Sequence, residues 1–352
     1  MSDELASIPI RSLRKWFRQK RRPLPWRQNR SLYRVLVAEV MLQQTQVVTV
    51  IPYYLRWMER FPDPASLLLV SDEALVKFWE GLGYYGRVRR LRLAALALLS
   101  RPEWDEASLK CLPGIGPYTA AACACFALRQ EGAIPLDGNM ARLLVRFWGI
   151  WKDIKSSSVR KSLQQLLARH LSKHQICPDD MEALIELGAL VCQPKSPRCI
   201  ECPLNKRCVA YQQGLVQKLP ISQKKKPFEL FQRAAIVLYE RGFFWICPAE
   251  RVKGLWEFPS FPYVDELKLE EELRLKGIQT FAMQCPPITY QVTRFRTRLI
   301  GFLLVERENL EILAHWQRVT WKEIQEKPFS SGHKKLLHMA LNFFGGLDLI
   351  LK

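Results

Sequence analysis

Apolar residues recur at helical spacing through the first part of the chain, from Ile8 to about Val209. Proline and glycine interrupt this spacing at intervals, as in Gly81-Leu82-Gly83. The pattern predicts helices near 8–20, 31–44, 46–60, 71–80, 84–99, 117–128, 138–150, 157–172 and 179–191. We therefore expect residues 1–211 to form an all-α domain.

The pattern changes after a polar and basic stretch, residues 212–228, which we interpret as an interdomain linker. Beyond it, RAAIVLYERGFFWIC indicates two strands joined by a turn at Glu240-Arg241-Gly242. ITYQVTRFRTRLIGFLLVE alternates as a third strand, and helical spacing returns at 264–276 and 332–345. We expect residues 229–352 to form a smaller α+β domain.

The charge of the chain predicts a polyanionic partner. Lys and Arg outnumber Asp and Glu by 53 to 34, which gives a formal net charge of +19. Nucleic acid is favoured over a membrane surface, because neutralised phosphates release condensed counterions. The sequence has no apolar run of membrane-spanning length and no signal-peptide core, so we expect an intracellular, cytoplasmic protein.

Four of the ten cysteines crowd into one loop rich in proline and lysine. The intervals between them are six, two and five residues, and the cysteines are Cys192, Cys199, Cys202 and Cys208. Four thiolates this close can enclose one metal centre. Zinc is one alternative, although the loop holds a single CxxC pair; four soft ligands also suit a [4Fe-4S] cluster.

The sequence LPGIG, residues 112–116, places Gly114 and Gly116 in a tight turn before a helix that begins at Pro117. The glycines let a ligand approach the backbone, and the helix start offers free N–H groups to an anion. An ordinary helix–helix turn is the alternative. Together with the positive charge, the motif favours a helix-hairpin-helix at about 109–128 that grips a DNA phosphate.

Two carboxylates stand in contrasting environments. Glu39 lies in the apolar stretch LVAEVML, where desolvation raises the pKa of an acid and suits it to proton donation. Asp137 precedes Gly138-Asn139 at a polar helix start, where it should cap the helix and stay ionised. Cleavage of a glycosidic bond needs such a pair, a proton donor and a negative charge near the sugar. A buried acid paired with an arginine is the alternative for Glu39.

The cysteine spacing and the LPGIG turn resemble the endonuclease III superfamily of DNA glycosylases. Within it, LPWR (residues 24–27) and EVMLQQTQV (39–47) closely match the adenine DNA glycosylases of the MutY type. GLWEFP, residues 254–259, is similar to the Nudix-like domain of these enzymes. The resemblance implies a [4Fe-4S] cluster and double-stranded DNA with adenine mispairs as the partner of a monomer. It also implies that basic residues of the cluster loop contact phosphates, here Lys195, Arg198, Lys206 and Arg207.

The resemblance also implies roles for individual residues. Glu39 would protonate adenine and then handle the water, and Asp137 would stabilise the cationic sugar with Tyr118 and Asn139 beside it. A flipped adenine would bind in a pocket lined by Trp26, Arg27, Leu42 and Glu182. The DNA contacts would be Gln44, Thr45, Leu82, Tyr84, Gly114, Gly116, Thr293 and Arg294, with Gln44 and Tyr84 as the wedge that enters the duplex.

Three departures refine this interpretation. Tyr118 stands where glycosylases with lyase activity carry a nucleophilic lysine, so strand cleavage should be weak or absent. The Phe-Ser-His hairpin that reads 8-oxoguanine in the family is Val292-Thr293-Arg294 here, and Arg294, Arg296 and Arg298 alternate onto one strand face. The pyrophosphatase signature REUxEExGU is missing after GLWEFP, which predicts no nucleotide hydrolysis by the second domain.

We therefore expect a monofunctional glycosylase that removes adenine mispaired with 8-oxoguanine or guanine. One alternative is an endonuclease III-like glycosylase and lyase acting on damaged pyrimidines. Another is a non-catalytic Fe–S protein that only binds DNA.

Overall fold

The computed structural model describes residues 6–174, 177–221, 227–240, 242–250, 254–274, 283–292, 295–306 and 316–350. The chain divides into two compact units, Met1–Leu68 with Arg90–Lys224, and Leu69–Arg89 with Lys225–Lys352. The sequence placed residues 69–89 in the helical domain, whereas their contacts group them with the C-terminal part. Within the described residues, no helix combines the length and the apolar character needed to cross a membrane.

The region before the linker is helical, as predicted. Its helices are α1 (Ile10–Lys20), α2 (Leu32–Leu42), α3 (Val47–Arg60), α4 (Asp72–Trp79), α5 (Gly86–Ala97), α6 (Glu106–Lys110), α7 (Pro117–Phe126), α8 (Gly138–Trp148), α9 (Ser157–His174), α10 (Pro178–Leu190) and α11 (Val209–Gln212). The short helix α6 was not predicted; Asp105 and Ser108 form a capping box at its start.

Helix α7 lies in the middle of the first unit. Its side chains from Thr119 to Phe126 are all buried, and most of them are alanine or cysteine. Because these side chains are small, α2, α6 and α10 can all pack closely against it. Helix α10 packs in turn against α1 and α8. The N-terminal ends of α7 and α8 and one face each of α2 and α10 are thereby brought to the same place.

The second unit contains a mixed β-sheet. Its strands are β1 (Glu229–Glu240), β2 (Phe243–Pro248), β3 (Trp256–Glu257), β4 (Ser260–Pro262), β5 (Met283–Gln284), β6 (Ile288–Val292), β7 (Phe295–Glu306) and β8 (Gln317–Thr320). The order is β3-β2-β1-β7-β5, with β4 on β1, β6 on β7 and β8 on β2. The central pair β1 and β7 is parallel over its whole length.

Three helices accompany this sheet, namely α12 (Glu266–Arg274), α13 (Trp321–Glu326) and α14 (Ser331–Ile350). One face of the sheet buries a core with Phe329 and Leu336, from the region of α13 and α14. The other face buries a second core around Trp245 and Phe302. Each face is apolar because both are covered, which explains the long apolar run in β1.

The single strand predicted from residues 288 to 306 is wrong. The segment forms two antiparallel strands, β6 and β7, whose facing ends are Val292 and Phe295. The two consecutive polar residues between Val292 and Phe295 shift the phase of the alternation, and this shift was the available sign of the reversal. Thr293 and Arg294, expected to contact DNA, lie outside the described residues.

Candidate active site

A cavity of about 470 Å³ opens where α2, α7, α8 and α10 meet. Residues that the sequence assigned to different roles line it together: Glu39, Tyr118, Asp137 and Asn139 from the catalytic set, Trp26, Arg27, Leu42 and Glu182 from the base pocket, and Gln44 and Thr45 from the DNA contacts. The volume lies in the range typical of small-molecule pockets. These side chains come from separate helices and loops, so the fold alone brings them to one place.

Glu39 is a buried acid in the wall of this cavity, and its pKa is raised. It lies on α2 among apolar side chains and is only 6% exposed. Burial raises the pKa of its carboxyl to about 7, while a hydrogen bond with Tyr118 acts in the opposite direction. Its Oε2 atom has no hydrogen-bond partner among the described residues. Glu39 can therefore hold a proton near neutral pH and offer it to a ligand.

Asp137 caps helix α8, as expected. Its Oδ1 atom accepts from the backbone N of Met140 at 2.6 Å, and its Oδ2 atom accepts from Asn139 Nδ2 at 2.7 Å. Burial raises the pKa of Asp137, and the hydrogen bonds from Met140 and Asn139 oppose this rise. The surroundings are thus less polar than the sequence suggested, and the donors hold the carboxylate in one orientation.

Asn139 is itself fixed by an arginine that the sequence did not single out. Arg142, buried on α8, donates from Nη2 to Asn139 Oδ1 and to the carbonyl of Gly188, both at 2.9 Å. Its Nε atom donates to the carbonyl of Cys192 at 2.8 Å. One guanidinium therefore connects the start of α8, helix α10 and the first residue of the cysteine loop.

Arginine–carboxylate pairs form one wall of the cavity. Glu182 accepts from Arg27 Nε at 2.8 Å and from Arg30 Nη2 at 2.7 Å. Glu186, one helical turn further along α10, accepts from Arg22 Nη2 at 2.7 Å and from Arg27 Nη2 at 3.2 Å. Sequence reasoning missed Glu186, Arg22 and Arg30; the i, i+4 spacing of the two glutamates was the available signal.

The LPGIG residues form a tight turn in front of α7, as expected, and their phosphate-binding role stays a prediction. Gly114 has φ +76°, a left-handed conformation, and a side chain there would clash with Arg90, whose Cβ would lie 2.7 Å away. Gly116 is the N-cap of α7 with Pro117 following it, and the space around the Gly116 Cα is open. The open helix start can accept an anion.

Both proposed wedge residues have left-handed backbones, unusual for residues other than glycine. Gln44 has φ 59°, is exposed and lies in the first unit. Tyr84 has φ 50°, is 43% exposed and lies in the second unit. Local strain of this kind concentrates at functional sites. Leu82, expected to contact DNA, is only 5% exposed, so that expectation is corrected: its side chain is buried and not available to DNA.

The four cysteines of the loop line a common, largely apolar cavity at the end of α8, and none forms a disulfide. Burial raises the pKa of Cys202 to about 12 and also raises the pKa values of Cys199 and Cys208. Arg146 Nη1 lies 3.4 Å from Cys192 Sγ. In the described part of the chain, no group of three or more His, Cys, Asp or Glu side chains is arranged around a single-ion site.

Basic side chains surround this loop. Those proposed to contact phosphates are all exposed: Lys195, Arg198, Lys206 and Arg207. Arg198 Nη1 lies 3.2 Å from Glu201 Oε2, and Arg207 Nη1 donates to Ser7 Oγ at 2.5 Å. The loop therefore presents positive charge to solvent.

Residues 37–169 match the family model described as HhH-GPD superfamily base excision DNA repair protein. An adenine DNA glycosylase of Rattus norvegicus is 41% identical over 226 residues, which cover 60% of this chain and 43% of the rat protein. An adenine DNA glycosylase of Buchnera aphidicola subsp. Schizaphis graminum is 31% identical over 278 residues, which cover 74% of this chain and 79% of that protein.

Among solved structures, a thermostable thymine-DNA glycosylase superposes with a TM-score of 0.51 at 24% identity, over 58% of this chain and 95% of that one. This likeness concerns the fold alone and agrees with the expected helix-hairpin-helix glycosylase architecture. The matches to the first curated relatives span about half of those proteins' own length.

Proposed function

Since this chain belongs to the adenine DNA glycosylase family, we propose that it removes adenine mispaired with 8-oxoguanine or guanine by hydrolysing the glycosidic bond. The observation that carries the proposal is Glu39. Its pKa of about 7 and its Oε2 atom, which has no hydrogen-bond partner in the described part of the chain, are the properties of a proton donor to a leaving base.

The proposed reaction breaks the bond between the deoxyribose carbon and the adenine nitrogen. Glu39 donates its proton to N7 of the flipped adenine, and the bonding electrons leave with the base. The sugar becomes cationic, and Asp137, held by Asn139 and the N-terminus of α8, stabilises it. The Glu39 carboxylate then takes a proton from the water that attacks the sugar. Tyr118, hydrogen-bonded to Glu39, keeps the acid oriented.

The adenine itself would lie against the wall formed by Trp26, Leu42 and the Arg27–Glu182 pair. Trp26 is fixed by an edge contact with Tyr54, whose ring centroid lies 5.4 Å away. Glu182 is fixed by Arg27 and Arg30. A polar wall with fixed donors and acceptors suits a base whose edge carries both.

Strand cleavage should not accompany base removal. Lyase chemistry in this superfamily needs an amine to form a Schiff base with the sugar, and Tyr118 offers a phenol in that place. Burial raises the pKa of this phenol well above its ordinary range, so it stays neutral. This argues against the glycosylase and lyase alternative, and the paired acids argue against a protein that only binds DNA.

We propose that Cys192, Cys199, Cys202 and Cys208 hold a [4Fe-4S] cluster. Four thiols around one cavity are a fitting donor set, and the raised pKa values of Cys199, Cys202 and Cys208 mean that a bound cation is needed to keep those three as thiolates. The cluster would supply structural cross-linking of the loop. The chain's own contribution is to present the exposed lysines and arginines of the loop to the DNA backbone.

For recognition, we propose that Gln44, Thr45 and Tyr84 enter or contact the duplex and that Gly114 and Gly116 bind a phosphate. Thr293 and Arg294 would contact the partner base and the nearby backbone. The second unit would be Nudix-like in shape without pyrophosphatase activity.

The test is a panel of duplexes with adenine opposite 8-oxoguanine, guanine or thymine. Adenine release should be fast opposite the first two, and strands should remain intact until alkali is added. Glu39→Gln should abolish release and leave mismatch binding within a few-fold of the unaltered protein. Release that survives Glu39→Gln would overturn the catalytic assignment, and nicking without alkali would favour the lyase alternative.

A further inference from the structure

Helix α4 and the turn after it belong to the same unit as the C-terminal sheet, although they precede it by more than a hundred residues. Three charged side chains of α4 and its C-terminus meet the segment 325–334. Glu73 Oε1 accepts from Trp256 Nε1 at 3.1 Å and from Lys327 Nζ at 3.0 Å. Lys77 Nζ donates to the carbonyls of Gln325 at 2.8 Å and Lys327 at 3.0 Å.

Glu80 makes the most buried of these contacts. Its side chain is 6% exposed. Its Oε1 atom accepts from the backbone N of Phe329 at 3.0 Å, and its Oε2 atom accepts from Lys334 Nζ at 2.6 Å. Phe329 is fully buried in the core of the second unit. Glu80 therefore fixes the end of α4 to the backbone and to the first turn of α14 at once.

The residue after Glu80 begins the turn that presents Tyr84. Gly81 and Gly83 both have positive φ, at 103° and 71°. Arg87 donates to the carbonyls of Leu82 at 3.0 Å and Gly83 at 3.1 Å, and its guanidinium lies 5.4 Å from the centroid of the Tyr84 ring. These contacts hold the turn rigid. The orientation of the turn therefore follows the position of Glu80, the residue that precedes it.

The other end of this connection is strand β6. Gly332, two residues before Lys334, packs directly on the ring of Tyr290: a side chain at Gly332 would lie 2.4 Å from it. Tyr290 is part of β6, which ends at Val292 immediately before the two residues proposed to contact the partner base. The contacts of Glu80 and Gly332 thus join the end of α4 to α14 and β6, and the backbone of residues 81–83 joins Glu80 to Tyr84.

We propose that Glu80 is a positioning residue that ties the wedge tyrosine to the domain that contacts the partner base. This inference rests on the proposed function. Insertion of Tyr84 beside the partner base and contact of residues 293–294 with that base then occur as one event. A partner base that the second unit accepts favours insertion of Tyr84, and a partner base that it rejects disfavours it, which gives Glu80 a role in specificity.

The test uses the full chain with Glu80→Gln and Lys334→Met, each of which removes the ion pair between Glu80 and Lys334. Glu80→Gln also removes the pair with Lys77, whose Nζ atom lies 3.4 Å from Glu80 Oε2. Glu80→Gln keeps an acceptor for Phe329 N, and Lys334→Met leaves the buried glutamate in place. Lys334→Arg keeps the pair and should behave as the unaltered protein. Glu240→Gln is the matched control, because Glu240 is a buried acid of the same unit whose contacts are with Trp245 and Arg318.

Two measurements follow Tyr84 and the turn directly. The first is the fluorescence of 2-aminopurine placed next to the partner base, which reports stacking of the inserted ring on binding. The second is hydrogen exchange of the amides of residues 81–86. Glu80→Gln and Lys334→Met should each reduce the preference for 8-oxoguanine over guanine, measured by this fluorescence and by adenine release, at least about fivefold. Both should also speed exchange in the turn.

Unchanged preference and exchange in both variants would overturn the inference, as would an equal effect of Glu240→Gln, which would indicate general destabilisation. If Glu80→Gln does not fold, Lys334→Met decides alone, since Lys334 is 38% exposed. Failure of the proposed function is distinguishable: the unaltered protein would then release no adenine. The fluorescence and exchange measurements need only DNA binding and would still decide the role of Glu80.

Discussion

Glu39 and Glu186 show how one cavity gives the same side chain opposite acid strengths. Glu39 accepts a hydrogen bond from the neutral phenol of Tyr118, so burial dominates and raises its pKa to about 7. Burial also disfavours ionised Glu186, but hydrogen bonds and charge from Arg22 and Arg27 outweigh it and lower its pKa to about 2. Of these two glutamates, Glu39 alone can therefore carry a proton to a leaving base near neutral pH.

A catalytic acid with a raised pKa should lower the free energy of unfolding near neutral pH. Glu39 has an ordinary pKa near 4.5 when the chain is unfolded and about 7 in the fold, so the folded chain binds the extra proton between these values. The favourable contribution of protonated Glu39 to the free energy of unfolding is complete below pH 4.5 and is lost as the pH rises through 7. From pH 4.5 to 8, Glu39→Gln should therefore gain up to roughly 3 kcal/mol in unfolding free energy over the unaltered protein, measured by urea unfolding.

Glu186→Gln is a control for which the expected change in unfolding free energy has the opposite sign. Because the folded pKa of Glu186 lies near 2, its contribution is present above about pH 4.5 and is lost only as the pH falls toward 2. This variant should lose roughly 3 kcal/mol of unfolding free energy at pH 5 and at pH 8 alike. A difference between Glu39→Gln and the unaltered protein that does not change with pH would contradict the raised pKa.

At the scale of elements, the sequence predicted those features that depend on residues close together in the chain. The helical spacing gave α2, α7, α8 and α10, and the apolar neighbours of Glu39 gave the direction of its pKa shift. The partners of Glu186 were not predictable, because Arg22 is 164 residues away in sequence. Likewise, α4 joined the second unit through contacts such as Glu80 to Phe329, separated by 249 residues. Period and composition carry no information about such pairings.

The position of α8 relative to α10 depends on a single glycine. Gly188 lies on α10 where a Cβ atom would be 2.6 Å from the carbonyl oxygen of Asn139. Its own carbonyl accepts from Arg142, which also holds the side chain of Asn139. The close approach of the two helices therefore sets where Asn139, and with it Asp137, stands in the cavity.

Gly188→Ala should push α10 away from the start of α8. We expect a loss of about 1–3 kcal/mol in unfolding free energy, as for other overpacked contacts, and slower adenine release through the displaced Asp137. Gly138→Ala is the matched control for stability, since a side chain at Gly138 meets nothing within 4 Å. Thermal unfolding of both variants measures this, and equal stability of the two would contradict the packing argument.

At the scale of the whole molecule, the net charge of +19 overstates the charge available to DNA. Several arginines are committed to carboxylates of α10, as Arg14 is to Asp180 at 2.8 Å. Others are exposed beside proposed phosphate sites; Arg90 is one, since its side chain lies over the Gly114 turn. Only a cation that replaces condensed counterions at a phosphate contributes to the salt dependence of binding.

Arg90 and Arg14 should therefore differ in a salt titration although both are arginines of the first unit. Arg90→Gln should reduce the slope of log K against log salt concentration by about 0.9, the value for one lost phosphate contact on duplex DNA. Arg14→Gln should leave the slope unchanged, because that guanidinium already neutralises Asp180. Both slopes can be measured by fluorescence anisotropy with an undamaged duplex, which excludes any contribution from base removal. Equal reductions in the two variants would mean that binding responds to net charge, and that the Gly114 turn is not a phosphate site.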